Sequence, residues 1–248
     1  HAEIALHARQ RHFVHFFRNG RVGRDDVQRQ LGGERHTLPL LRLGDRIAHR
    51  LLGAGTSCEQ RRDTASYWAP ALLDAAGKVI EPLKMSAYYR PGQGVDPAEV
   101  VAYPPGVMLI GGDAAAQANQ ATDIVAWSCG TGAARDDRPQ QCSDGTTLRM
   151  LVTFPDCWDG ERLTTFGASA HSAYSSTETD GCPDTHPVAM PQLTIGIDFP
   201  PVDPTGLSLA SGDVTTLHAD FWHVWDQTKL EREVESCINR DLVCGVTS

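Results

Sequence analysis

The chain has 248 residues (26.9 kDa), is 41% hydrophobic and carries a formal net charge of −9. It is long enough to bury a real core, and its acidity argues against a general nucleic-acid binder, which would show a basic face. The most apolar short run, Val107-Met108-Leu109-Ile110, ends at once in Gly111-Gly112-Asp113, so no membrane span is expected.

The first segment is unlike the rest. Residues 1–50 hold ten Arg and no Lys, six of the ten His, and no Cys, Trp or Tyr, whereas residues 51–248 carry twelve basic and twenty-six acidic side chains. Residues 1–54 therefore form an atypical basic arm, with two readings open. One is a flexible or disordered arm. The other is an out-of-frame translation of a GC-rich gene, since such frames favour Arg, Gly, His and Leu. Helical patterning over Leu38–Ile47 is interrupted by Pro39 and Gly44 and supports only fragments.

From Cys58 onward the pattern is that of a folded β-rich domain, expected over residues 55–248. Lys84–Arg90, Asp123–Trp127, Thr147–Phe154 and Leu193–Phe199 are each short, alternate apolar with polar residues and are bounded by Gly, Pro or Asp. Leu148, Met150, Val152 and Phe154 would share one face, as would Leu193, Ile195, Ile197 and Phe199. This predicts an antiparallel β-sandwich or related β fold with long loops. One helix is expected near the end, with Asp220 as its N-cap, Trp222 at its start, and Leu230, Val234, Cys237 and Ile238 on its apolar face.

Seven cysteines stand at 58, 129, 142, 157, 182, 237 and 244, with no Cys-x-x-Cys pair. Many adjoin turn residues, Lys is scarce and Gly plus Pro are abundant, which together fit a secreted, extracellular, disulfide-stapled domain. A local pairing is expected: Cys129 with Cys142, Cys157 with Cys182, Cys237 with Cys244. Cys58 is left over, and no cysteine precedes it.

A set of phrases, in order, carries a family resemblance. They begin with Cys58 and Asp63-x-x-Ser66-Tyr67-Trp68-x-Pro70-x-Leu72, then Tyr88-Tyr89 and Pro104-Pro105-Gly106-x-x-x-Ile110-x-Gly112-Asp113. Trp127-x-Cys129, Leu148-Arg149 and Phe154-Pro155-x-Cys157-Trp158-Asp159-Gly160 follow. His171-x-x-Tyr174, Cys182-Pro183-x-x-His186-Pro187, Ser211-Gly212-Asp213 and His218-Ala219-Asp220-Phe221 complete the series. The chain resembles the DUF1996 family, a secreted fungal and bacterial domain of unknown function. The resemblance implies export and, because members often accompany cell-wall or carbohydrate-binding modules, an extracellular polysaccharide partner. Members also carry His-x-His-x-Phe-Phe-Gly-Asn near the N-terminus. Here the nearest phrase, His12–Asn19, has Val14 for the second His and Arg18 for the Gly.

Candidate chemistry concentrates between residues 156 and 226. His171, His186, His218, Asp220 and Asp159 are the candidate catalytic groups, because glycosidic cleavage needs a protonated acid and an ionised base, and His with carboxylates supplies either. Trp158, Trp222, Tyr174 and Asp113 are the candidate ligand-binding residues, since an aromatic face stacks on the C–H-rich face of a sugar. No metal ligands are assigned and no cofactor is named. Bland roles stand beside each: Asp220 could cap a helix, Asp159-Gly160 suits a turn, and His186 before Pro187 could fix a loop by one hydrogen bond. His218 and His223 are five apart, not the i, i+4 of a zinc pair. No Gly-x-Ser-x-Gly elbow is present. Three functions follow as alternatives: a glycoside hydrolase or polysaccharide lyase, a non-catalytic glycan-binding module, and a structural surface protein.

Overall fold

Side chains and backbone are described in a computed structural model for residues 56, 58–143, 145–165 and 170–245, with the backbone alone for Glu3–Ala8. The helical fragments expected in Leu38–Ile47 and the phrase His12–Asn19 lie outside the described residues.

The strongest alternation in the sequence builds the largest sheet. Its six strands run in the order β14 (Val243–Cys244), β1 (Glu3–Ala8), β4 (Lys84–Arg90), β11 (Gln192–Phe199), β7 (Leu148–Thr153) and β6 (Val125–Cys129). Every pairing is antiparallel except β1 with β14. Register puts Ile195 between Ala87 and Val152, and Ile197 between Met85 and Met150, so like faces align across the strands. Leu148, Met150, Val152, Phe154, Leu193, Ile195, Ile197 and Phe199 are all buried on one face, with Trp127 among them. The expected Asp123–Trp127 strand starts and ends two residues later, because Ile124 and Val125 both donate to the Ala121 carbonyl and close a turn there.

The opposite face is polar and also buried. Arg149 and Asp198, directly paired across β7 and β11, form an ion pair at 3.5 Å with side chains 3% and 4% exposed. The guanidinium donates to Thr131 Oγ1 (2.7 Å) and the Tyr88 hydroxyl (3.1 Å). It lies where a Cβ on Gly196 would sit, which is why that strand position carries no side chain.

A second sheet packs on the apolar side. Strands β2 (Ser66–Trp68), β13 (His218–Trp222) and β5 (Met108–Gly112) run antiparallel with β13 in the middle. Its inward residues Tyr67, Leu109, Ala219 and Phe221 are buried, and Phe221 meets Tyr67, Tyr103 and Phe154 at ring-centroid distances of 5.4, 5.3 and 6.1 Å. The sheets approach closely at Gly111-Gly112. A Cβ on Gly111 would meet Thr153 O at 2.7 Å; one on Gly112, whose φ is +76°, would meet Leu217 O at 2.5 Å. Gly112→Ala is therefore expected to cost about 1–3 kcal/mol, since both the positive φ and the backbone contact resist a side chain. Chemical denaturation would register it as a lowered midpoint.

Short strands complete the fold: β8 (Cys157–Trp158) between β9 (Ser172–Ala173) and β10 (Val188–Ala189), and β3 (Leu72–Leu73) with β12 (Ser208–Leu209). The C-terminal helix α1 spans Gln227–Ser236 and buries Leu230 and Val234. Its N-cap is Asp226, which accepts from Lys229 N, not Asp220. Asp220 and Trp222 belong to β13 instead, because Ala219 and Phe221 alternate into the core and demand an extended backbone. All three expected disulfides are present, Cys129–Cys142, Cys157–Cys182 and Cys237–Cys244. Cys58 is a free thiol buried in the core, its pKa pushed up to about 12 first by burial and then by the nearby Asp63 carboxyl. It is inert as a nucleophile at ordinary pH.

Candidate functional site

The strand alternation that buries Ala219 and Phe221 turns His218, Asp220 and Trp222 to the other side of the small sheet. The register supplies their neighbours. Asp220 stands between Trp68 on β2 and Ile110 on β5, and Trp222 between Ser66 and Met108. Directly opposed residues bring their Cβ atoms to about 5 Å, so these side chains form one contiguous surface. It is apolar apart from Asp220 and Ser66, and it is open: Ile110 is 57% exposed.

A loop raises this surface into a cleft of about 520 Å³. Residues 163–165 run beside the edge of β5, fixed by the Met108 N–H donating to Leu163 O (2.8 Å), and residues 170–174 complete that side. Thr164, Thr165, Ala170, His171, Ser172 and Tyr174 form the wall facing Trp68, Met108, Ile110, Asp220 and Trp222. The volume suits a small molecule or a few units of a chain.

The polar groups of the cleft differ in how they are held. His171 is 3% exposed and its Nδ1 is 2.8 Å from Thr165 Oγ1. Burial lowers its pKa, against smaller opposing effects of the Met108 backbone and Asp159, so the ring is neutral near pH 7. The Tyr174 hydroxyl donates to Thr153 O (2.9 Å), and burial raises its pKa, keeping the phenol protonated. Asp220 has no hydrogen-bond or ion-pair partner among the described residues. Burial raises its pKa above the usual carboxylate range, with His218 nearby pulling the other way.

Of the nine residues nominated from sequence, His171, Tyr174, Asp220 and Trp222 meet at this cleft. The other five do not line it. His218 is next in the Asp220 row, opposite Gly112, with Nδ1 2.8 Å from Thr216 O. His186 sits behind the wall, its Nε2 3.2 Å from Ala170 O, in the loop-fixing position that its Pro neighbour suggested. Asp159 closes a turn: it accepts from the backbone of Glu161 and Arg162 and pairs with the Arg162 guanidinium at 2.7 Å. Burial alone would raise its carboxyl, but those hydrogen bonds and the Arg162 charge together outweigh it and hold the group below the usual range, unsuited to a proton donor. Trp158 donates to Arg162 O (2.6 Å) and packs against the core, and Asp113 accepts from Ala115 N in an exposed turn. Trp68, Met108 and Ile110 are among the lining residues that sequence reasoning left out. Their signal was the alternation in Ser66-Tyr67-Trp68 and Met108-Leu109-Ile110, each with one buried residue between two outward ones.

No group of three or more His, Cys, Asp or Glu among the described residues is placed to hold a metal ion. No helix among them is long and apolar enough to cross a membrane.

Residues 44–225 match the family model described as domain of unknown function DUF1996. The chain belongs to the DUF1996 family. No curated protein and no solved structure matches it. Every described cleft-lining residue of this DUF1996 chain, from Ser66 to Trp222, falls inside the matched span. Helix α1 and the Cys237–Cys244 bond lie beyond it, and the match begins within the basic arm.

Proposed function

We propose that this DUF1996 domain is secreted and binds extracellular or cell-wall polysaccharide in the cleft over β2–β13–β5. The observation that carries the reading is the row Trp68–Asp220–Ile110 beside Trp222: aromatic and aliphatic side chains around a single carboxyl group. Aromatic faces stack on sugar rings and a lone polar group fixes their register. Three disulfides fit an oxidising compartment outside the cytosol.

Trp222→Ala is expected to weaken binding about tenfold, the loss of one stacking contact of about 1.4 kcal/mol. A pull-down against plant, fungal and bacterial wall polysaccharides, followed by calorimetric titration of the retained one, measures it. Unchanged affinity in that variant would remove the cleft from the reading.

Catalysis is the second reading, favoured by one observation: burial shifts the Asp220 carboxyl in the direction that a general acid requires. Against it, Asp220 is the one carboxylate among the described lining residues, whereas paired-carboxylate hydrolysis needs two. His171, neutral and in the same cleft, is the candidate base. Reducing-end release from the bound polysaccharide, abolished in Asp220→Asn and His171→Ala with folding intact, would favour the enzyme. Retention without product would favour the binding module.

A further inference from the structure

The charge pattern of the cleft narrows the class of glycan, taking the polysaccharide-binding reading as given. Asp220 is the only formally charged side chain among the described lining residues, which include no Lys or Arg. Arg162, the cation behind the wall, is bound to Asp159 at 2.7 Å and donates to Ala170 O at 2.9 Å. A uronic-acid chain would bring carboxylates against an acidic, apolar surface with nothing to pair them, which costs binding. A neutral chain would stack and offer hydroxyl donors to Asp220, but an ammonium group gives the carboxylate a stronger, charge-assisted bond.

We infer that the occupant is a cationic amino-sugar polysaccharide, a glucosamine-type chain with free ammonium groups, one ammonium pairing with Asp220 while its rings lie on Trp68 and Trp222. Each feature of the row has a part in this arrangement. The carboxylate gains the partner it lacks, through a charge-assisted hydrogen bond shielded by Ile110 and the two indoles. Neighbouring ammonium groups passing over an indole face gain a cation–π contact, which neutral sugars do not. The net charge of −9 draws a polycation toward the domain from a distance.

The test titrates the full chain with four oligosaccharides of equal length: fully deacetylated glucosamine, N-acetylglucosamine, neutral β-linked glucose and galacturonate. The glucosamine oligomer should bind at least tenfold more tightly than the other three. Asp220→Asn should erase about tenfold of that affinity. If Asp220→Asn does not fold, salt serves instead: added NaCl should weaken glucosamine binding by the wild type and leave neutral-oligomer binding unchanged. Equal affinity for acetylated or neutral oligomers, or an Asp220→Asn variant that binds glucosamine as the wild type does, overturns this inference and leaves the polysaccharide reading standing. Binding of none of the four takes down both.

Discussion

Reducing the three disulfides is expected to unfold the domain at room temperature. The bonds close separate loops of 13, 25 and 7 residues in sequence separation. On the chain-entropy relation these are worth about 3, 3.5 and 2.5 kcal/mol, roughly 9 kcal/mol together, against a typical total stability of about 5–15 kcal/mol. The loops explain the dependence. Cys129–Cys142 ties the end of β6 to the long segment leading to β7; Cys157–Cys182 ties β8 to the turn closed by Ser176 and Gly181. Cys237–Cys244 holds the last strand, which pairs with β1. Intrinsic fluorescence during titration with a reductant should show loss of native signal. A fully reduced protein that keeps its native midpoint in urea would show that the core alone carries the fold.

The second large effect lies inside the core. Asp63 is fully buried; its Oδ1 accepts from Ala65 N and its Oδ2 from the Tyr67 hydroxyl at 2.7 Å. Tyr67 in turn contacts the Tyr89 hydroxyl, to which Trp225 Nε1 donates. These bonds favour the ionised form, but burial outweighs them and raises the carboxyl pKa to about 7. In the unfolded chain the group titrates near pH 4. Between those values the folded state holds a proton that the unfolded state has lost, so this group's stabilisation, full below pH 4, declines as pH rises to about 7. Three pH units correspond to about 4 kcal/mol.

His223 acts with the opposite sign. It is fully buried with Nε2 on Gln227, and burial lowers its pKa to about 4. Between pH 4 and its unfolded value near 6.5 the unfolded state holds the extra proton, so the His223 contribution grows as pH rises. The two slopes oppose over much the same window, and the wild type should show little pH dependence from this pair. Asp63→Asn removes one of them. The stability difference between Asp63→Asn and wild type should shift in favour of the variant by about 4 kcal/mol from pH 4 to pH 7.5. Urea midpoints at both pH values measure it, and a constant difference would mean that Asp63 ionises normally in the fold.

The sheet-forming segments were legible because their cause is local. Lys84–Arg90 and Leu193–Phe199 alternate at period two, and that pattern alone decides which residues enter the core. The disulfides were legible for a related reason: each closes a short loop rich in turn residues. The C-terminal helix was legible in its apolar stripe but not in its start. Asp220 and Asp226 are equally good caps by residue type, and the pairing of β13 with β2 and β5 chose between them.

The cleft was less legible, since its members come from separate segments spread between Ser66 and Trp222. Residue type marked His171, Tyr174, Asp220 and Trp222 as able to do chemistry. Nothing local distinguished them from Asp159, whose Arg162 partner fills its bonding capacity, or from His186, which is used on a loop carbonyl. By itself, then, the sequence determined a disulfide-stapled β domain of the DUF1996 family and the faces of its main strands. The tertiary structure decided which polar groups stay unpaired. A carboxylate is spent or available according to the neighbours that strand register brings within bonding distance, and the register that sets Asp220 between Trp68 and Ile110 depends on two sheets packing together.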